Sequence, residues 1–127
     1  MKFASVRLVT REFERLVAYY ARLSGLEPVR LADGFAEVRF PGATLALSHE
    51  RIVQRVNAGA AIAAANRSAI LEFEVEDVDA VLERMSGTPD DGAEVAMPPT
   101  VMPWGNRSLL LRDPDGNVVN VFSRPVN

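Results

Sequence analysis

The spacing of hydrophobic residues predicts one amphipathic helix in each half of the chain. In the first half, apolar residues recur at the helical intervals i, i+3, i+4 and i+7, at Phe13, Leu16, Val17 and Tyr20. The second half repeats this spacing at Val78, Val81, Leu82 and Met85. We expect Thr10 to cap the first helix and Gly25 to end it, because hydroxyl side chains favour helix N-termini and glycine favours C-termini.

Alternating polar and apolar residues predict strands around these helices. The predicted strands are Phe3–Thr10, Phe35–Phe40, Thr44–Ser48, Ser68–Val75, Arg107–Arg112 and Val118–Phe122. The turns Pro41-Gly42-Ala43 and Asp113-Pro114-Asp115-Gly116 join two pairs of them into hairpins, because proline and glycine suit tight turns. Residues 51–67 form a connector with some helix, and Ser86–Gly105 is a Gly- and Pro-rich stretch to which we assign no regular element.

The two halves share one plan. Adding 65 to the apolar positions of the first helix gives those of the second, and adding 74 to Gly42 gives Gly116. A common order of elements at a common period indicates an internal duplication. We therefore expect one domain over residues 1–127, with unit one at about 1–50, a connector at about 51–67 and unit two at about 68–127.

Composition narrows the classes of function. The 127 residues are 48% hydrophobic and 24% charged, which suits one domain with a packed core. A net charge of −3 argues against nucleic-acid binding, and no apolar run is long enough to span a bilayer. The chain has no cysteine, which excludes disulfides, thiolate nucleophiles and cysteine-bound metals. We expect a soluble, cytoplasmic protein.

Two motifs of the second unit resemble the vicinal oxygen chelate superfamily, which includes glyoxalase I, extradiol dioxygenases and bleomycin-resistance proteins. Leu71–Asp79, which reads LEFEVEDVD, opens the unit, and the turn Asp113-Pro114-Asp115-Gly116-Asn117 closes it. The resemblance covers Phe3 to Phe122 and implies an α+β fold of two βαβββ units that form a concave mixed β-sheet with helices on its outer face. Pro103-Trp104-Gly105-Asn106-Arg107 looks most like the antibiotic-binding, bleomycin-resistance branch.

Enzymes of this superfamily hold a divalent metal through one histidine and one glutamate from each unit. The resemblance places these ligands at Ser5, Ala46, Ile70 and Asn120, none of which is a histidine or a carboxylate. Since a metal needs several converging donors, we expect no metal and no cofactor. His49, the single histidine, belongs at a hairpin end or at the mouth of the cavity.

Strand alternation places Arg7, Glu72 and Asn120 inside the predicted cup. A charge there must be paired, solvated or functional, because desolvating it alone is costly. Arg7 and Glu72 occupy equivalent places in the two units, so a mutual salt bridge and contact with a ligand both remain open.

Aromatic side chains add candidate binding surface. Trp104 lies in the predicted loop Met97–Gly105 and suits a flat apolar ligand, but it also suits a plug over the core or a dimer contact. Three phenylalanines are further candidate walls of the site: Phe35, Phe40 and Phe122.

Three functions fit these residues. The first is a metal-free binding protein for a hydrophobic or aromatic small molecule, an antibiotic among the candidates. The second is a lyase, isomerase or dioxygenase-type enzyme, either metal-dependent through an unrecognised ligand set or metal-free with Arg7, Glu72 or His49 as acid–base groups. The third is a partner subunit without a ligand of its own. We expect a homodimer, because association covers exposed sheet edges.

Overall fold

The structure, a computed structural model, describes residues 1–87 and 94–126. The chain forms two compact units, Met1–Ala65 and Asn66–Asn127. Each described unit follows the order strand, helix, three strands, and a second helix ends the first unit. The α+β fold of two βαβββ units is therefore confirmed, with a four-stranded mixed sheet in each unit.

The first unit contains four strands and two helices, whose bounds are β1 Ser5–Thr10, α1 Phe13–Ser24, β2 Val29–Ala32, β3 Phe35–Phe40, β4 Ala43–His49 and α2 Glu50–Val56. Its strand order is β1-β4-β3-β2. Strand β1 runs parallel to β4, and the other neighbours are antiparallel.

The described part of the second unit has the same plan, with β5 Ile70–Glu74, α3 Val78–Ser86, β6 Glu94–Val101, β7 Arg107–Arg112 and β8 Val118–Ser123. Its strand order is β5-β8-β7-β6, and again the first and last strands of the unit run parallel.

The duplication extends to the register of the strands. Ser5 pairs with Thr44 in the first sheet, and adding the sequence offsets 65 and 74 gives Ile70 and Val118, which pair in the second sheet. The helices begin at Phe13 and Val78, which differ by the same 65. Both hairpin turns place a glycine at positive φ, +80° at Gly42 and +83° at Gly116, a region that side chains with a Cβ rarely adopt.

One long helix of each unit packs on one face of its sheet, and the short helix α2 also contacts β4 and β1 of the first sheet. Helix α1 buries its apolar stripe, including Leu16 and Tyr20, against β3 and β4. The guanidinium of Arg30 on β2 donates two hydrogen bonds to Glu14 of α1, at 3.0 and 2.8 Å. Arg30 pairs with Ala36, so the strand positions in register with Ala36 face α1.

Helix α3 is fixed to its sheet in the same manner. It buries Val78, Val81 and Met85, and it contacts β7 and β8. Arg107 of β7 forms a two-pronged ion pair with Asp79, at 3.0 and 2.8 Å. Alternate residues of β7 from Arg107 onward, among them Leu109 and Leu111, therefore face α3.

The start of α1 differs from the prediction, whereas its end does not. The N-cap position is Glu12, and Thr10 lies two residues earlier, where its hydroxyl accepts a 2.9 Å hydrogen bond from the Glu12 N–H. This local turn satisfies the hydroxyl before the helix begins, so Thr10 is not the cap. Gly25 ends the helix in the left-handed conformation, as predicted.

Two strands lie where the sequence indicated none. Strand β2 has only four residues, too few for a clear alternation. Strand β6 replaces part of the stretch Ser86–Gly105 and contains Pro98 and Pro99. It lies at the sheet edge with an irregular register, where the missing proline N–H groups cost no ladder hydrogen bond. Residues 88–93 of that stretch lie outside the described residues.

Candidate functional site

Each sheet has a second face, which points away from α1 or α3 and which we call the distal face of that unit. In the first unit this face carries Ser5, Arg7, Val9, Phe35, Glu37, Arg39, Thr44, Ala46 and Ser48. In the second it carries Ile70, Glu72, Glu74, Met97, Thr100, Ser108, Leu110, Arg112, Val118, Asn120 and Phe122.

Arg7 is held on the distal face of the first unit by two neighbours. Its Nη2 donates a 2.8 Å hydrogen bond to Asn57 Oδ1, from the residue that follows α2. Its Cζ lies 5.8 Å from the ring centroid of Phe35, within the range of a cation–π interaction. Arg7 itself is exposed. The guanidinium is thus oriented by an amide and an aromatic ring while it still faces solvent.

The second arginine on this face is already neutralised. Arg39 donates from Nε to Glu37 Oε1 at 3.0 Å, and its Nη2 lies 2.9 Å from the same oxygen. Glu37 shares a cross-strand row with Arg7, because both residues pair with Ala46.

The equivalent row of the second unit changes from polar to apolar across the sheet. It runs Glu72, Asn120, Leu110, Met97 from β5 to β6. Asn120 Nδ2 donates a 2.8 Å hydrogen bond to Glu72 Oε2. Within the described chain, the buried Oδ1 of Asn120 accepts no hydrogen bond. The row therefore combines an oriented carboxylate, an under-used carbonyl oxygen and two apolar side chains.

Further apolar surface flanks this row. Ile70 is 55% exposed, and Phe122 and Val118 are half-buried. Phe122 lies under the guanidinium of Arg124, whose Cζ is 5.5 Å from the ring centroid, and Arg124 contacts Glu74 at 3.2 Å. A ligand on the row from Glu72 to Met97 would therefore meet apolar side chains on both sides of that row.

Trp104 lies in the short loop between β6 and β7 and is 69% exposed. Two backbone hydrogen bonds close the loop, from Met102 N to Asn106 O and from Gly105 N to Met102 O. The predicted loop Met97–Gly105 is thus shorter than expected, because Met97–Val101 belongs to β6. Such exposure does not suit the role of a plug over the core of its unit.

Phe40 is the exception among the candidate walls. It alternates with Ala36 and Val38 onto the α1-facing side of its sheet. It therefore does not share the distal face with Arg7, whereas Phe35 does.

The four places at which the resemblance puts metal ligands lie on the distal faces. Ser5 and Ala46 lie on the distal face of the first unit, and Ile70 and Asn120 lie on that of the second. A hydroxyl, a methyl, an alkyl and an amide group do not supply the imidazole and carboxylate donors that such a metal needs. Among the described residues, no three His, Cys, Asp or Glu side chains are grouped as a metal site would require. This residue set does not fit the metal.

His49 has a structural role that the sequence reasoning missed. It is the last residue of β4 and the N-cap of α2, where its Nδ1 accepts a 3.1 Å hydrogen bond from the Arg51 N–H. Its place directly before a run of helix-forming residues was the available signal. Asn57, which orients Arg7, gave no comparable signal, because the contact spans 50 positions of the sequence.

The ionisable groups with clearly shifted pKa values lie in structural contacts. The pKa of Glu50 is lowered, first by the Ala63 N–H that donates to it and then by Arg11. Arg107 lowers the pKa of Asp79, and the ion pair raises that of Arg107 in turn. These groups stabilise charges within each unit, and they do not belong to the distal faces.

The closing turn of the second unit is also structural. Asp113 Oδ1 accepts from the backbone N–H groups of Asp115 and Asn117, both at 2.9 Å, and its Oδ2 accepts from Asn117 Nδ2 at 2.7 Å. Asn66 donates to Asn117 Oδ1 at 3.1 Å. The motif that carries the family resemblance therefore serves to fix the β7–β8 hairpin.

Comparison with protein-family models decides the family. Residues 2–121 match the model of the Glyoxalase/Bleomycin resistance protein/Dioxygenase superfamily. The chain belongs to this superfamily. No curated protein matches the chain.

Solved structures agree on the fold. A glyoxalase-related enzyme from Fulvimarina pelagi has a TM-score of 0.83 at 22% identity, with 99% of this chain and 90% of that chain covered. A glyoxalase/bleomycin resistance protein/dioxygenase family enzyme from Burkholderia phytofirmans PsJN has a TM-score of 0.81 at 16% identity, with 97% and 98% covered. TioX from Micromonospora sp. ML1 has a TM-score of 0.70 at 20% identity, with 99% and 100% covered.

No helix in the described ranges is long and apolar enough to cross a membrane.

Proposed function

We propose that this member of the superfamily binds a hydrophobic or aromatic small molecule on its distal faces without using a metal ion. The row Glu72–Asn120–Leu110–Met97 is the observation that carries the proposal. Ligand sites in proteins combine a mainly apolar lining with a few fixed polar groups that set orientation. This row, with Ile70 and Phe122 beside it, has that composition.

The polar pair supplies orientation. Because Asn120 donates to Glu72 Oε2, the carboxylate has a defined position and retains further lone pairs for a ligand N–H or O–H group. The amide is itself held by one hydrogen bond only, so its orientation can adapt to a ligand. Hydrogen bonds to a charged acceptor contribute more binding free energy than those to a neutral one. Glu72 is therefore the residue of this row that we expect to contribute most to ligand binding.

The residues at the family's metal-ligand places support the metal-free part of the proposal. Ala46 and Ile70 offer no lone pair, and Ser5 and Asn120 offer only neutral oxygens. In their place, the distal faces offer apolar contact and hydrogen bonds. Because the family description includes bleomycin resistance proteins, aromatic antibiotics belong among the ligands to be tried.

We propose a cytoplasmic homodimer as the setting of this binding. Among the described residues, each sheet ends in two edge strands, β1 and β2 in the first unit and β5 and β6 in the second. Exposed strand edges favour association with another chain.

Thermal unfolding against a panel of aromatic compounds tests the proposal. With a chelator present, a compound at a hundredfold excess over its Kd stabilises the protein by about 2.7 kcal/mol, which is a readily measured rise in Tm. We expect Glu72→Gln to weaken the best compound about tenfold, because it removes the charge of the acceptor. Glu83→Gln, at an exposed position on α3, is the matched control and leaves affinity unchanged.

Two results would contradict the proposal. One is a panel in which no compound shifts Tm at any concentration that keeps it in solution. The other is binding or turnover that appears only when a divalent metal is supplied, which favours the lyase, isomerase or dioxygenase-type alternative.

A further inference from the structure

The charge on the distal face of the first unit is unbalanced. The face carries Arg7, Arg39 and Glu37, and the last two form an ion pair. Two arginines against one glutamate leave one net positive charge, and it resides on Arg7. One negative charge from a ligand would therefore neutralise this face.

Arg7 also retains unused hydrogen-bond donors. A guanidinium has five N–H donors in a planar fork, and within its own unit that of Arg7 meets one acceptor, Asn57 Oδ1. No carboxylate of the described first unit forms an ion pair with it. The ion pairs described for four other arginines of this unit engage Glu14, Glu37, Glu50 and Asp33.

The neighbours of Arg7 orient it without neutralising it. Asn57 is uncharged, and Phe35 provides a ring 5.8 Å from Cζ. Holding an exposed, flexible side chain in this way reduces the entropy that a ligand would otherwise have to remove on binding. Phe35 and the half-buried Val9 also place apolar surface beside the guanidinium.

We propose that Arg7 recognises the carboxylate of an aromatic or apolar acid on the distal face of the first unit. This inference rests on the proposed function, since it names the charge class of the small molecule that is bound. The planar fork of arginine matches the two oxygens of a carboxylate. A single net positive charge beside a paired glutamate suits a monoanion better than a phosphate dianion.

Matched probes on one aromatic scaffold test the charge class. Calorimetric titrations of the full chain use 1-naphthoate, 1-naphthamide and 1-naphthylmethylamine, which share their apolar body and differ in charge. We expect naphthoate to bind about tenfold to a hundredfold more tightly than the amide, as a charge-assisted pair predicts. The preference for naphthoate should weaken at high salt.

Variants locate the recognition. Arg7→Gln should remove the preference for naphthoate over naphthamide and leave the affinity for naphthamide unchanged. Arg30→Gln is the matched control, because Arg30 lies on the α1-facing side of the same sheet, where it pairs with Glu14, so its loss leaves the charge of the distal face unchanged and should keep the preference. Asn57→Ala removes the acceptor that positions Arg7 and should partly reduce the preference for naphthoate. Arg7→Lys should retain less than half of the preference that the unsubstituted protein shows.

The outcomes separate this inference from the proposed function. If naphthamide or the amine binds as tightly as naphthoate, or if Arg7→Gln keeps the preference, the inference is wrong while small-molecule binding stands. If none of the three probes binds, the inference is wrong, and the thermal-unfolding panel then decides the proposed function separately. A double-mutant unfolding cycle of Arg7→Gln and Glu72→Gln that shows strong coupling would assign Arg7 to a mutual salt bridge and overturn the inference.

Discussion

Ala58 adopts a backbone conformation that alanine disfavours. Its φ is +58°, directly after the Asn57 cap of α2, and side chains with a Cβ are strained there. We expect Ala58→Gly to stabilise the protein by about 0.5–1 kcal/mol, because relief of strain exceeds the added entropy of the unfolded chain. Urea unfolding measures this change.

Ala60→Gly in the same loop is the control for Ala58→Gly. Its φ is not positive, so glycine there adds only unfolded-state entropy and should lower stability. Equal effects of the two substitutions would show that the left-handed angle of Ala58 stores no strain.

Glu50 links α2 to Arg11, the residue directly after β1, and to the loop that follows α2. Its carboxylate accepts from Arg11 Nε at 2.9 Å and from the Ala63 N–H at 2.7 Å, and both contacts lower its pKa below the ordinary value of 4.5. A lowered folded-state pKa contributes stability above the unfolded-state value, and this contribution is lost as pH falls through the folded-state pKa.

Glu50→Gln should therefore destabilise the protein at pH 7 and do so less at pH 3. Urea unfolding of the variant and of the unsubstituted protein at both pH values checks this. A stability difference that stays constant from pH 7 to pH 3 would mean that the charge of Glu50 contributes nothing.

The position of a single residue could be predicted where it follows from local alternation, but not where it depends on a contact with a residue remote in sequence. Arg7, Glu72 and Asn120 were placed on distal faces from alternation alone, and their register agrees with that placement. Asn57 was missed because its partner is remote in sequence. The alternation of Phe40 with Ala36 and Val38 assigns it to the α1-facing side, so the sequence pattern itself excludes Phe40 as a wall of the distal face.

At the scale of elements, the Asp113 turn holds the β7–β8 hairpin. We expect Asp113→Ala to cost about 2–4 kcal/mol, because it removes three hydrogen bonds and leaves buried donors of Asn117 unsatisfied. Asp113→Asn is the informative companion, since its Oδ1 can still accept from the two backbone N–H groups. Its loss of stability should be smaller, and an equal loss would show that the charge, not the backbone contacts, fixes the turn.

The β6–β7 loop offers a test of binding that spares the fold. Trp104 is 69% exposed, so Trp104→Ala should leave Tm without ligand within about 1 °C and weaken the best aromatic ligand by more than about 1 kcal/mol. Calorimetric titration measures the affinity. Unchanged affinity would remove Trp104 from the site and leave a dimer contact as the remaining proposal for it.

Elements with strong periodicity were predictable, and edge elements were not. Helices α1 and α3 and both hairpins follow from apolar spacing and turn residues. The sequence pattern did not predict strands β2 and β6. Both are edge strands, which are paired on one side only, and this permits the short length of β2 and the two prolines and irregular register of β6. Sequence pattern reports burial, and these strands are largely exposed.

At the scale of the whole molecule, the duplicated fold and the residues on it give different information. The offsets of 65 and 74 fixed the plan of both units and the equivalence of Arg7 with Glu72. The superfamily supports several activities, so function has to be argued from side chains. Here the four metal-ligand places hold Ser5, Ala46, Ile70 and Asn120, and polar groups beside apolar ones occupy the distal faces.

One NMR titration tests binding at the distal faces most directly. The ¹⁵N-labelled protein is titrated with 1-naphthoate in the presence of a chelator, and the one-dimensional spectrum of the ligand is followed in the same tube. We predict shift changes concentrated on the distal face of the first unit, at Arg7, Val9 and Phe35, with the ligand chemically unchanged after a day. Shift changes confined to the outer surfaces of α1 and α3, or conversion of the ligand to a product, would contradict the account.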